Sequence, residues 1–388
     1  MRFYLENYGC TLNQAQGEMI ANSLISQGNQ IVENLDDADS VLLSTCVVIK
    51  HTEDKMKKRI LEFRESGKKV IVSGCLTDPS IEGVRRIDFS HSKGYLPIIK
   101  TDDLSAGIPI AEGCNGGCTF CISRIARGRL RSYSEQEILR TAKGAIDHGA
   151  RELRITALDT ASYGHDNGRA LPQLISALAS LDGEFRLRIG MMEPENASEI
   201  MDDLIHAMKS AKVYKFLHLP FQSGDDQVLR KMGRKYRVEE FKNIVKKFRE
   251  SFPSGMLSTD IIVGFPNETV PGLRASLETI RETRPEILNI TKYSARPGTA
   301  AYGWKTPSTN QTSQWSQIFH EAHKEISEES MKRFLGQEIE VTLLEKGKEG
   351  TLIGRDSNYH PVVVRKGMIG ESKKVKIISY TPFYLVGR

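Results

Sequence analysis

The sequence predicts an α/β protein in three parts. These are an N-terminal parallel-sheet unit, a central partial barrel of six strand–helix repeats, and a small C-terminal β-barrel. Three observations predict it. Three early strand-like runs alternate with helix-like runs, and each ends at a cysteine. Six further strand candidates recur with helical runs between them. After Gly336 the pattern changes to short β-rich runs separated by glycines and polar turns. A chain of 388 residues has room for two or three domains. The boundaries expected are 1–95, 103–330 and 331–388, with Lys93–Asp103 as a linker.

The elements follow in order. Arg2–Asn7, Ser40–Ser44 and Lys69–Ser73 read as strands. Gln14–Ser26 and the charged, amphipathic Asp54–Glu65 read as the helices that cross between them. The barrel strands expected are Ile108–Glu112, Glu152–Ala157, Phe185–Gly190, Lys215–Leu219, Met256–Val263 and Ile287–Thr291. Ser134-Glu135-Gln136-Glu137 ahead of Ile138 is a capping box and opens the first barrel helix. Residues 305–331 form a polar helical connection. The final barrel is read from Ile339–Leu344, Thr351–Gly354, Pro361–Val364, Lys374–Ser379 and Phe383–Val386, a layout of the oligonucleotide-binding kind.

Composition narrows the class. The chain is 39% hydrophobic and 27% charged, with no apolar run of membrane-spanning length. The N-terminus lacks a signal-peptide layout, so a cytoplasmic location is expected. Thiols are normally reduced there, so the six cysteines are read as metal ligands or reactive groups. Residues 331–388 hold 11 Lys/Arg against 6 Asp/Glu, which accounts for the whole net charge of +5. A basic module on a neutral body points to a polyanion, with Lys373, Lys374 and Lys376 as candidate phosphate contacts. A solvated basic face is the competing reading.

Cys114, Cys118 and Cys121 form a Cys-x3-Cys-x2-Cys run with no fourth cysteine nearby. Three thiolates on one loop can hold three irons of a 4Fe–4S cubane and leave the fourth iron open. An open iron is what S-adenosylmethionine (SAM) needs to chelate and be cleaved reductively. Gly116 and Gly117 are expected to curl the loop through positive φ. Structural zinc wants four ligands, usually from two Cys-x2-Cys pairs, and no second pair exists. Cys10, Cys46 and Cys75 each follow a strand. The carboxyl ends of parallel strands share one edge, so these three can meet as a second three-ligand site. The alternative is that they are small buried apolar residues.

Other positions carry weaker signals. Phe120 lies between two ligands and either packs on SAM or caps the cluster. Gln222, Ser223 and Asp260 sit at or near strand ends, where barrel ligands gather. Arg188 shares a strand face with Arg186, and the pair are candidates for the SAM carboxylate or a phosphate. His218, on an apolar strand, reads as a satisfied core histidine.

The whole chain resembles the radical-SAM methylthiotransferases. Tyr8-Gly9-Cys10-x-x-Asn13, Ser44-Thr45-Cys46 and Ser73-Gly74-Cys75 resemble the cysteine motifs of that family's N-terminal domain. Cys114, Cys118 and Cys121, with Ala126-Arg127-Gly128 and Ser132, match its radical-SAM signature. Leu217–Gly224, Thr259–Pro266 and Arg296-Pro297-Gly298-Thr299 resemble its later strand motifs, and the tail resembles the TRAM domain. The Cys46 context through Lys50, Thr52 and Glu53, and Asp159-Thr160-x-x-Tyr163-Gly164, are most similar to the archaeal and eukaryotic group acting on N6-threonylcarbamoyladenosine in tRNA. The resemblance implies two 4Fe–4S clusters, SAM, the tRNA anticodon stem-loop as partner, an electron donor and a sulfur source. The sulfur would sit on the open iron of the Cys10, Cys46 and Cys75 cluster. Isopentenyladenosine in tRNA or a ribosomal-protein aspartate are alternative substrates, and an RNA-binding iron–sulfur electron carrier is the alternative of another class. Ser44 stands where the family usually has Asn. Ala157-Leu158 stands where the family commonly has a Gly-Gln pair, so the side-chain contact to SAM that the resemblance implies is not carried over to that position.

Overall fold

The computed structural model describes residues 1–48, 50–76, 84–87 and 94–388. Lys93, the first residue of the expected linker, lies outside them.

The N-terminal unit runs β1 (Arg2–Asn7), α1 (Thr11–Ser26), β2 (Gln30–Val32), β3 (Ser40–Thr45), α2 (Lys50–Glu65), β4 (Lys69–Gly74) and β5 (Val84–Arg86). Its five strands are all parallel, in the order β2-β1-β3-β4-β5. Central β3 is buried along its whole length, as a strand covered on both faces must be. The short β2 and β5 at the sheet edges were not anticipated; neither is long enough to show a period.

The central unit runs β6 (Ser105–Pro109), β7 (Ala111–Glu112), α3 (Ile122–Arg127), β8 (Arg131–Ser132), α4 (Glu135–Asp147), β9 (Glu152–Thr156), α5 (Leu171–Ala179), β10 (Arg186–Ile189) and α6 (Pro194–Met208). It continues with β11 (Phe216–His218), α7 (Asp226–Lys231), α8 (Val238–Ser251), β12 (Met256–Val263), α9 (Val270–Thr283), β13 (Ile287–Lys292) and α10 (Thr309–Lys332). The parallel set β6-β9-β10 continues into β11-β12-β13 through a bridge between Leu187 and Val213. Six parallel strands in chain order make the open barrel the sequence predicts. The Ser134–Glu137 capping box forms at the start of α4.

One strand is displaced. The run read as Ile108–Glu112 is split at Pro109, which cannot donate to a ladder. β6 ends there, and Ala111–Glu112 pair antiparallel with Arg131–Ser132 instead. That hairpin closes the base of the intervening loop.

Edge strand β6 is covered by α1 of the N-terminal unit. A side chain at Gly107 would meet Ala15 Cβ at 2.6 Å, so helix and strand dock flush. Tyr359 of the C-terminal unit meets Tyr214 edge-on and Phe216 at a tilt at the opposite end of the barrel. That unit runs β14 (Glu338–Lys346), β15 (Leu352–Arg355), β16 (Pro361–Val364), β17 (Ser372–Tyr380) and β18 (Leu385–Gly387), closed in the order β14-β15-β16-β18-β17.

Candidate functional site

The loop from Cys114 to Cys121 follows the first barrel strand and is pinned at both ends. Cys114 N–H donates to the Gly128 carbonyl (3.1 Å), and Thr119 N–H donates to Met232 at the end of α7 (2.9 Å). Positive φ falls at Gly113 (+72°) and Gly128 (+73°), not at Gly116 and Gly117 as expected. The curl is made by the flanks. Gly116 serves another end: a Cβ there would meet Cys114 Sγ at 3.2 Å and Cys118 Sγ at 3.8 Å. The glycine keeps the cup between two thiols clear. Its N–H donates to Cys114 Sγ (3.2 Å), a bond of the type that tunes cluster potentials. Cys121 caps the N-terminus of α3, where the helix dipole favours an anionic ligand. Burial pushes the Cys114 and Cys118 thiols up from their usual value.

Cys10, Cys46 and Cys75 follow β1, β3 and β4, adjacent strands in register at Asn7, Ser44 and Ser73. Left-handed Gly9 (φ +96°) and Gly74 (φ +91°) turn two of the three chains at the sheet edge. A Cβ at Gly9 would lie 3.4 Å from Cys46 Sγ, and Cys75 N–H donates to the Thr45 carbonyl (3.0 Å). The strand ends therefore converge, as the three-ligand reading requires. Cys10 occupies the N-cap position of α1, as Cys121 does that of α3, each without a side-chain capping bond. Burial raises the Cys46 thiol, and proximity to Cys75 and Cys10 adds to it. All six cysteines are free thiols.

Each triad presents three free thiols, the donor set that a cubane takes. Among the described residues, no three His, Cys, Asp or Glu side chains close on one metal position. Zinc holds sulfur at about 2.3 Å, so its ligands must nearly touch. A cubane takes each thiolate on a different iron, and Gly116 leaves the space between Cys114 and Cys118 open.

Helix α3, which starts after Cys121, reaches the N-terminal triad at Cys75. Ile122 and Ala126 of α3 pack against the apolar cluster of the N-terminal unit that includes Cys75. Arg127, on the same helix, is buried and donates from Nε to Cys75 Sγ (3.2 Å) and from Nη1 to Gln16 Oε1 (2.6 Å). Its Nη2 donates to Asn13 Oδ1. Asn13 in turn donates to the Thr45 carbonyl (2.7 Å). Arg127 and Asn13 stood inside quoted motifs without roles. A motif gives spacing, and the pairing across two units appears only in three dimensions.

Phe120 meets Phe265 edge-on with centroids 6.1 Å apart, and the Arg234 guanidinium lies 5.5 Å over its ring. Arg234 pairs with Glu193, which follows β10. Neither was singled out from the sequence; each looks like an ordinary charge at a helix end. Asp159, behind the Cys114 loop, is buried and pushed up to about 6, burial being the main cause. It accepts from Ala161 N–H, Glu193 N–H and Asn196 Nδ2. Gln222 is buried with φ +64°, and Ser223 N–H donates back to the Phe221 carbonyl (2.7 Å). A left-handed glutamine in so tight a turn is strained, and such strain clusters at ligand sites. Ser223 Oγ accepts from Asp225 N–H (3.2 Å). Asp260 holds His218 Nε2 (3.1 Å) and Asn289 Nδ2 (2.6 Å), so His218 is satisfied. Arg188 lies over Phe216 (4.9 Å) and Tyr359 (5.9 Å), facing the C-terminal barrel.

In β17 the pleat separates the three lysines. Lys374 and Lys376 share the exposed face, opposite Glu340 and Glu338 of β14, while Lys373 lies on the other face and donates to the Lys366 carbonyl. Exposed Phe383 and Tyr384 lie in the same small barrel. Among the described residues, no helix is long and apolar enough to cross a membrane.

Three family models match the chain: Uncharacterized protein family UPF0004 over 2–89, the Radical SAM superfamily over 108–280 and the TRAM domain over 332–388. The chain is 39% identical to a probable threonylcarbamoyladenosine tRNA methylthiotransferase of Pyrococcus horikoshii, covering 100% of this chain and 99% of the relative. It is 40% identical to the protein of that name in Methanocaldococcus jannaschii, covering 100% and 96%. It is 31% identical to the tRNA-2-methylthio-N(6)-dimethylallyladenosine synthase of Thermosipho africanus, covering 100% and 99%. Among solved structures, the radical S-adenosylmethionine methyltransferase TsrM of Kitasatospora setae is similar at a TM-score of 0.54 and 12% identity, covering 75% of this chain and 72% of that one; this likeness concerns the fold alone.

Proposed function

Because the chain belongs to the radical-SAM tRNA methylthiotransferase family, we propose that it converts N6-threonylcarbamoyladenosine beside the tRNA anticodon to the 2-methylthio form. The family's cofactors are two 4Fe–4S clusters and SAM. The observation that carries the reading is the pair of cysteine triads, each one ligand short, on loops in contact through α3. The threonylcarbamoyl substrate is favoured over the dimethylallyl one by 36–40% identity to archaeal relatives of the first name against 31% for the second.

The proposed division of labour follows the domains. Residues 1–95 hold one cluster on Cys10, Cys46 and Cys75; residues 103–330 hold the other on Cys114, Cys118 and Cys121; residues 331–388 grip RNA. When bound, these groups supply one-electron cleavage of SAM and a sulfur for insertion, which together replace an aromatic C–H that acid–base chemistry leaves intact. The protein's part is to orient and to exclude water. Gly116 leaves room between thiols, and Phe120 screens the loop from solvent. The strained turn at Gln222 and Ser223 lines the approach to SAM, and Asp260, held by His218 and Asn289, would shape its surroundings; Arg188 faces the C-terminal barrel at the far end and is left out of the SAM site. Lys373, Lys374 and Lys376 contribute phosphate contacts. The reaction also requires an electron donor, a sulfur source and access to cytoplasmic tRNA.

Nucleoside mass spectrometry of tRNA from a deletion strain tests this. The methylthio form of threonylcarbamoyladenosine should vanish and its precursor accumulate. An unchanged profile rejects the reading, and loss of the isopentenyl counterpart instead reassigns the substrate.

A further inference from the structure

The geometry points to Arg127 as a positioning residue that locks the two cysteine triads together and supplies the counter-charge of the N-terminal one. This rests on the two-cluster reading above. Arg127 lies on α3, whose first residue follows Cys121. Its side chain is buried, yet three of its nitrogens donate to the N-terminal unit: Nε to Cys75 Sγ (3.2 Å), Nη1 to Gln16 Oε1 (2.6 Å) and Nη2 to Asn13 Oδ1. A planar fork can take three partners at fixed angles; an ammonium cannot. The helix that begins at one triad is thus held in register with the other.

Charge gives the second role. A cubane that accepts three thiolates is left net negative, and a buried anion needs compensation. Arg127 Nη1 also lies 3.7 Å from Glu112 Oε1, but that carboxylate serves Arg131 Nη2 as well (3.1 Å). One acid shared by two guanidiniums leaves positive charge over for Cys75. A cation against a ligand sulfur favours the reduced, more negative cluster and raises its potential.

The test uses R127Q and R127K in the full chain. With Cys114, Cys118 and Cys121 replaced by Ala, only the N-terminal cluster remains, and its midpoint potential is read directly. R127Q should lower that potential, while R127K, which keeps the charge, should stay near the parent. With all cysteines present, both variants should lose methylthio product per 5′-deoxyadenosine released, on the order of 10–100-fold, because the reacting partners shift. In cofactor-free protein, amide exchange over residues 10–16 and 122–127 should speed up in both. An unchanged potential and unchanged exchange in R127Q overturn the inference. If R127Q fails to take up iron, R127K decides: unchanged exchange and unchanged coupling sink the idea. The parent enzyme separates the two readings, since a parent without a second cluster or without methylthio product fails the function itself.

Discussion

Cys10, Cys46 and Cys75 were legible as neighbours because each follows a strand, and parallel strands end together. Changing any one to Ala should lower iron from about eight to about four per chain while SAM cleavage persists. Changing Cys114, Cys118 or Cys121 should abolish cleavage; iron analysis and 5′-deoxyadenosine assay separate the two classes. Glycine roles were less legible. Whether a glycine supplies positive φ or empty space depends on what faces it, so Gly116 was assigned the task that Gly113 and Gly128 perform. Buried partnerships such as Arg127 with Asn13 were not legible, since they join residues 114 positions apart. Glu268 gives a pH signature. Burial pushes its carboxyl from 4.5 up to about 7 while it accepts from Gly264 N–H. The folded state therefore holds an extra proton between these values. Its stabilising contribution is complete below about 4.5 and is lost as pH rises through about 7. Thermal melts from pH 5 to pH 8 should show this falling slope, and E268Q should flatten it; an equal slope in both proteins refutes the assignment.

Most elements of the barrel units were readable, down to the four-residue β16 (Pro361–Val364), while the three-residue edge strands β2 and β5 were not. β1 and β12 match their sequence-derived spans in full, and α4 carries the expected cap. Helices α1 and α2 start at Thr11 and Lys50, about one turn earlier than read. The first barrel strand was misplaced because Ile108–Glu112 is apolar enough for a strand, while Pro109 decides where pairing stops. Packing between elements adds a prediction. Gly107→Ala should force α1 away from β6, costing on the order of 1–3 kcal/mol as overpacking. A clear drop in melting temperature is expected; an unchanged one would mean the docking is looser than the 2.6 Å approach implies.

At the scale of the molecule, α1 and Arg127 fix the N-terminal sheet to the barrel's first strand, and Tyr359 fixes the C-terminal barrel to its far end. The order of units was readable from pattern; their docking was not, because it rests on side chains meeting across the chain. The basic tail is the part whose role is electrostatic. Replacing Lys373, Lys374 and Lys376 by Ala should weaken tRNA binding and shallow its salt dependence by about 0.7 in log–log slope for each lysine on a phosphate. Because Glu338 and Glu340 oppose two of them, removing those acids should tighten binding. The most direct test of the account is iron and acid-labile sulfide after anaerobic reconstitution, in the parent and in two triple-alanine variants, one for each cysteine triad. Two independent cubanes predict about eight irons in the parent and about four in each variant. A parent that holds only about four, or a variant that loses all its iron, would contradict it.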